Sequence, residues 1–219
     1  MDYNFLEKTI LFRGVSDEEI REMLVCLGGE VKHYTKGETV YHAGDVVASL
    51  GLILSGSVHI ENDDFWGNRS ILDHVGPGQV FAETYACVSG EPLMVSVTAA
   101  EETEILFLNT GRLLQTCSNT CGHHHKLIRN LLAASAQKNL NLSRRIFHTS
   151  AKSIRGRLLS YLSYQALRHN SHCFEIPFNR QQLADYLSVD RSALSNELGK
   201  MQKEGILTVK KNAFCLKNY

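Results

Sequence analysis

The sequence contains no run of about eighteen consecutive apolar residues, so no membrane-spanning helix is expected. Its start, MDYNFLEKTI, has no basic segment ahead of an apolar stretch, which argues against a secretory signal and for a soluble, cytoplasmic protein. The cysteines, Cys26, Cys87, Cys117, Cys121, Cys173 and Cys215, are scattered rather than set at a framework spacing. Without a secretory signal, reduced thiols are expected. No Ser/His/Asp or paired-carboxylate constellation stands out, so no catalytic residue is assigned and a non-enzyme is expected. A cupin-like metal-dependent enzyme would need histidines from neighbouring strands, yet His33, His42, His59 and His74 include no His-x-His pair.

Acidic residues are also missing from a long stretch. No Asp or Glu occurs between Glu104 and Glu175, where Arg112, Lys126, Arg129, Lys138, Arg144, Arg145, Lys152, Arg155, Arg157 and Arg168 all fall. The formal charge of the whole chain is zero, but residues 1–104 carry 6 Lys/Arg against 18 Asp/Glu, and residues 105–219 carry 17 against 5. The C-terminal half either meets a polyanion or forms a solvated basic face beside the acidic half.

At 219 residues the chain is long enough for two domains. Ser16-Asp17-Glu18-Glu19 reads as a capping box, and Ile20, Met23, Leu24 and Leu27 follow at helical spacing. From about Val31 to Leu108 the texture becomes short β-prone runs, among them Leu50–Ile60, Ser70–Val75 and Val95–Thr98, punctuated by glycines. An antiparallel β-barrel or jelly roll is expected over residues 1–121. Beyond Gly122, residues Ile128, Leu132, Ser135, Asn139, Leu142 and Ile146 alternate at four- and three-residue steps. That is a coiled-coil seam with polar members. It predicts either a parallel homodimer helix over 122–148 or a helix packed on its own barrel.

Residues 149–219 carry the sharpest pattern. Asn179-Arg180-Gln181-Gln182 caps a helix of about two turns, with Leu183, Ala184 and Leu187 inward. Ser188-Val189 makes a turn, and Asp190 caps a second helix whose Leu194, Leu198 and Met201 point in. Arg191, Ser192, Ser195 and Asn196 are left facing outward, where a recognition helix meets base edges. Arg pairs with guanine and Asn with adenine. Arg180 joins them as a candidate DNA contact. After Gly205 a strand, the basic turn Lys210-Lys211-Asn212 and a second strand make a wing able to touch phosphate. A plain helical hairpin shares the apolar spacing, as would a dimeric scaffold without DNA binding; the wing, the basic half and the dimer helix favour a winged helix-turn-helix.

In this order of parts the chain resembles the Crp/Fnr family of transcription regulators over nearly its whole length. The most specific stretches are LILSGSVHI (52–60) and NRQQLADYLSVDRSALSNELGKMQKEGIL (179–207). The resemblance implies an α+β architecture, with a cyclic-nucleotide-binding-like barrel, a long dimerisation helix and a C-terminal winged helix-turn-helix. It implies double-stranded DNA, a second copy of the chain, RNA polymerase and a small-molecule effector as partners, with no membrane. Arg191, Ser192 and Asn196 take the family's base-reading positions. Ser188 replaces a frequent glycine and Ser192 a common acidic residue, so the operator is not carried over.

The sensor departs further. Where relatives that bind cyclic nucleotides hold ribose and phosphate with Gly-Glu and Arg-Ser pairs, the matching positions here are Ala82-Glu83 and Leu93-Met94. No Lys or Arg occurs between Arg69 and Arg112 to offset phosphate desolvation. The family's adenine-contacting hydroxyl falls at Leu142, with Ser143 its neighbour. Cyclic AMP is disfavoured, as is an iron–sulfur cluster, since only Cys26 and Cys87 precede residue 117. Glu83 either faces a pocket for a cationic or hydroxyl-bearing effector or is a carboxylate satisfied by backbone N–H groups. Cys117, Cys121 and His123 either form a zinc or thiol-oxidation switch or simply start the helix.

Overall fold

The computed structural model describes residues 1–63, 66, 69–114 and 122–217. The chain divides into two compact units, Met1–Gln137 and Lys138–Tyr219. The N-terminal unit opens with α1 (Tyr3–Lys8) and α2 (Asp17–Leu27). Then come β1 (Glu30–Tyr34), β2 (Thr39–Tyr41), β3 (Ser49–Ser55), β4 (Val58–Asp63), β5 (Arg69–Val75) and β6 (Val80–Phe81). The short α3 (Glu83–Cys87) leads to β7 (Ser96–Ala99), β8 (Thr103–Asn109) and α4 (Thr110–Leu114), and the long α5 (Gly122–Thr149) follows.

Two antiparallel four-stranded sheets form the expected sandwich, in the orders β1-β8-β3-β6 and β2-β7-β4-β5. Period-two alternation assigns each side chain of β3 and β8 to one of two cores. Ile53, Ile105 and Phe107 join Val58, Val75 and Phe81 in one buried cluster. Their neighbours Leu50, Leu52, Leu106 and Leu108 pack on the other face against Leu6, Ile20, Leu27 and Leu127 of the helices. A sheet covered on both faces explains why LGLIL and ILFL read as nearly continuous apolar runs. The run Leu50–Ile60 is two strands, broken at Gly56 (φ 73°), where a Cβ would collide with the Glu102 carbonyl and with Thr103.

The capping box forms as expected, with Glu19 N donating to Ser16 Oγ at 3.4 Å and Ser16 N to Glu19 Oε2 at 3.0 Å. Glu19 also accepts from Lys126 Nζ of α5 at 2.9 Å, and Asn130 Nδ2 donates to the carbonyls of Leu11 and Arg13. These bonds, with buried Leu127, Leu131 and Ala134, lay one face of α5 on its own unit. Leu132 in this part of α5 is 68% exposed; in the C-terminal unit, which takes the rest of the helix from Lys138, Leu142 and Ile146 are 61 and 68% exposed.

The C-terminal unit holds α6 (Ile154–His169), β9 (Cys173–Glu175), α7 (Arg180–Leu187), α8 (Arg191–Lys203), β10 (Leu207–Lys210) and β11 (Ala213–Leu216). The strands pair antiparallel in the order β10-β11-β9. Leu158 and Leu162 of α6 meet Leu183 and Leu187 of α7, Leu194 and Leu198 of α8, and Phe214. Each such chain contributes about 1.5–3 kcal/mol relative to exposure.

One expectation is corrected. Cys173 and Cys215 lie opposite each other in the β9–β11 register and are joined as a disulfide. Spacing along the chain does not show that an antiparallel pairing brings these two positions together. Cys26 and Cys87 are free thiols. Cys117 and Cys121, and the side chain of His123, lie outside the described residues.

Candidate nucleic-acid interface

α7 and α8 owe their crossing to a short turn with strict local chemistry. Asn179 and Gln182 cap α7 reciprocally, each bond 2.9 Å. α7 ends on Ser188 in the left-handed region (φ 54°), uncommon for a residue other than glycine. Asp190 then caps α8, its Oδ1 accepting from Ala193 N at 2.9 Å and Ser192 Oγ at 2.7 Å. Those bonds hold its carboxyl below the ordinary range.

With Leu194, Leu198 and Met201 buried, Arg191, Ser192, Ser195 and Asn196 come together on one exposed face of α8. They differ in freedom. Ser192 is engaged by the Asp190 cap, and Ser195 Oγ donates to the Arg191 carbonyl at 2.9 Å. The side chains of Arg191 and Asn196 face solvent.

Arg180 and Lys211, from α7 and the wing, meet across a cleft of about 390 Å³ lined also by Pro177, Phe178, Asn179, Gln182 and Asn212. Arg180 is half-buried over the Phe214 ring, 6.0 Å from its centroid. Burial pulls its pKa below the ordinary arginine value; the guanidinium stays charged. Lys211 adopts φ 58° in the wing turn. Asn212 fixes that turn, donating from Nδ2 to the Ile176 carbonyl at 3.2 Å and accepting from Ile176 N at 3.0 Å. Lys210 is exposed beside it.

Several cations of the acid-free stretch serve the fold instead of a partner. Arg157 donates to the Leu187 and Ser188 carbonyls at 3.0 and 2.9 Å, and Arg145 to those of Tyr186 and Asp185 at 3.2 and 3.0 Å. Two guanidiniums thus bond to backbone carbonyls around the C-terminal end of α7. Arg155 engages Glu197 and Glu204. Sequence reasoning missed these roles, because the carbonyls that recruit the arginines carry no residue-type signal.

In the N-terminal unit, Glu83 is buried in the first turn of α3, after Ala82 in the left-handed region (φ 58°). Leu93 is buried and bonded through its backbone to Gly44 and Asp45, whereas Met94 is 75% exposed. Leu142 and Ser143 belong to the C-terminal unit, both exposed, with Ser143 Oγ 3.3 Å from Asn139 Oδ1. His59 and His74 face each other across β4–β5, ring centroids 5.3 Å apart. Among the described residues, no group of three or more His, Cys, Asp or Glu is placed to hold a metal ion. No helix among them is long and apolar enough to cross a membrane.

Comparison with known proteins agrees with these parts. Residues 31–120 match the cyclic nucleotide-binding domain model and residues 156–219 the Crp-like helix-turn-helix domain model. The cyclic AMP receptor protein of Thermus thermophilus is 26% identical over 197 residues, covering 90% of this chain and 87% of its own. The cAMP-activated global transcriptional regulator CRP of Haemophilus influenzae is 22% identical, over 80 and 78%. The crystal structure of the Thermus thermophilus catabolite activator protein shares the fold with a TM-score of 0.52, at 22% identity over 95% of this chain and 94% of that one. A barrel of the cyclic-nucleotide-binding type followed by a Crp-like helix-turn-helix makes this chain a member of the Crp/Fnr family of DNA-binding transcription regulators.

Proposed function

We propose that the chain works as a homodimer joined along the uncovered face of α5, presenting two α8 helices to a two-fold-related DNA site with half-sites about one helical turn apart. The observation that carries this is the exposed face of α8. There Arg191 and Asn196 stand without side-chain partners among the described residues, on a helix fixed by the Asp190 cap. Arg191 and Asn196 read base edges. Ser192 and Ser195 flank them. Arg180, Lys210 and Lys211 neutralise backbone phosphate around the cleft, supported by the α7 N-terminus that opens into it. The protein regulates transcription, with RNA polymerase as a further partner, rather than catalysing a reaction.

The relatives named above are described as cyclic AMP receptor proteins. In this chain the barrel takes a different effector. Leu93, at a position where a phosphate clamp would need a cation, is packed into the interior, and the sequence offers no Lys or Arg between Arg69 and Arg112. Genome-wide mapping of bound sites, followed by binding of the recovered site in vitro, tests the DNA reading. Enrichment of a two-fold-related motif is expected, and its absence would contradict the reading. Calorimetry with cyclic AMP tests the effector reading: no heat is expected, and micromolar affinity would refute it.

A further inference from the structure

β9 is a three-residue edge strand that pairs with β11 on the side away from β10. Cys173 pairs with Cys215, Phe174 with Phe214 and Glu175 with Ala213. The ladder continues into the two bonds between Ile176 and Asn212. Directly beyond it lie Pro177 to Arg180 on one side and Lys211 on the other, the walls of the 390 Å³ cleft. The disulfide therefore ties the two strands within a ladder that runs from the Leu216 N–His172 carbonyl bond to the Ile176–Asn212 bonds beside that cleft. A short edge strand held by few backbone bonds opens locally at low cost, and a covalent link at its base opposes that opening.

We propose that Cys173 and Cys215 form a thiol–disulfide exchange site taking a low-molecular-weight disulfide as substrate, whose oxidised state strengthens DNA binding by holding the two walls of the Arg180–Lys211 cleft together. The DNA arm rests on the function proposed above. Cys173 is exposed and Cys215 half-buried, so Cys173 is the attacking group. Its thiolate attacks one sulfur of the external disulfide, forming a mixed disulfide and releasing one thiolate. The Cys215 thiolate then attacks Cys173 Sγ and expels the second. The two cysteines are oxidised by two electrons, the external disulfide is reduced to two thiols, and the cysteine protons pass to those products. A reducing thiol pool reverses every step.

The test equilibrates the full-length protein at graded ratios of reduced to oxidised glutathione, counts alkylated cysteines by peptide mass spectrometry, and titrates each sample into a fluorescent duplex carrying the mapped site. Cys173 and Cys215 should lose reactivity together, and C215S should trap glutathione on Cys173. Reduction should weaken DNA binding about 3- to 10-fold, the scale of losing preorganisation in a few contacts. C173S/C215S should bind like the reduced protein at every ratio. Because the wild-type protein is compared with itself in two states, a poorly folding variant does not remove the test. The proposal is overturned if both thiols stay reactive under the most oxidising ratio, if both states bind equally, or if the double variant keeps the redox response. A protein binding no duplex in either state would overturn the DNA reading, while cysteine counting still decides the exchange chemistry.

Discussion

Arg155 on α6 donates from its two Nη atoms to the two carboxylate oxygens of Glu204, each at 2.8 Å, at the C-cap of α8. Its Nε reaches Glu197, on the same helix, at 2.6 Å. The pairing raises the guanidinium pKa and holds the Glu204 carboxyl below its ordinary range. One side chain thus grips the middle and the end of α8, the helix that carries Arg191 and Asn196.

Arg155→Met should therefore weaken DNA binding several-fold without removing a DNA contact, and lower the melting temperature by a few degrees. Arg155→Lys, which keeps charge but loses the bidentate fork, should fall between. Anisotropy and thermal melting on the same preparations check this; unchanged affinity for Arg155→Met would show that the clamp does not orient α8.

Asn179→Ala removes the side-chain oxygen that accepts from Gln182 N, while the backbone N–H of residue 179 keeps its bond to Gln182 Oε1. A loss of about 1 kcal/mol in chemical denaturation of the C-terminal unit is expected. Asn179→Asp should retain most of that stability.

His148 gives the C-terminal unit a pH dependence. Its ring is buried against Tyr161, Tyr164 and Tyr186, with Nδ1 3.0 Å from Ser160 Oγ. Burial lowers its pKa below the ordinary histidine value. The unfolded chain therefore binds the proton more tightly than the folded one. Stability should be on its plateau above about pH 6.5 and decline as pH falls toward the lowered folded value. Thermal melting from about pH 5 to 8 should show that decline, and His148→Gln should flatten it.

The helix-turn-helix was legible in the sequence because its caps and inward leucines are local. Asn179, Asp190, Leu183, Leu187, Leu194 and Leu198 all do what their spacing predicts. The sandwich was legible for a similar reason, through its glycine turns and apolar runs. What sequence alone hid depends on distant partners. Cys173 meets Cys215 only through strand register, Arg157 meets the Ser188 carbonyl only through packing of α6 beside the turn, and the small α1 lacks a periodic pattern long enough to stand out. Charge asymmetry alone therefore does not mark a partner surface, since Arg145, Arg155 and Arg157 are hydrogen-bonded within the C-terminal unit.

A dimer along α5 makes its own demand on Leu142 and Ile146, which would otherwise leave apolar surface in water. Leu142→Asp together with Ile146→Asp should convert the protein to a monomer in sedimentation at micromolar concentration and abolish tight binding to a two-fold site. A wild-type monomer under those conditions would contradict the assembly.

The most direct measurement is salt-titrated binding of wild type, Arg191→Ala and Lys211→Ala to the mapped site and to a scrambled duplex of equal length. If α8 reads bases, Arg191→Ala costs roughly 1–3 kcal/mol on the mapped site and little on the scrambled one. Lys211→Ala, acting on phosphate, weakens both duplexes alike and reduces the slope of log affinity against log salt by about one. Equal weakening of both duplexes by Arg191→Ala would contradict placement of α8 in the major groove.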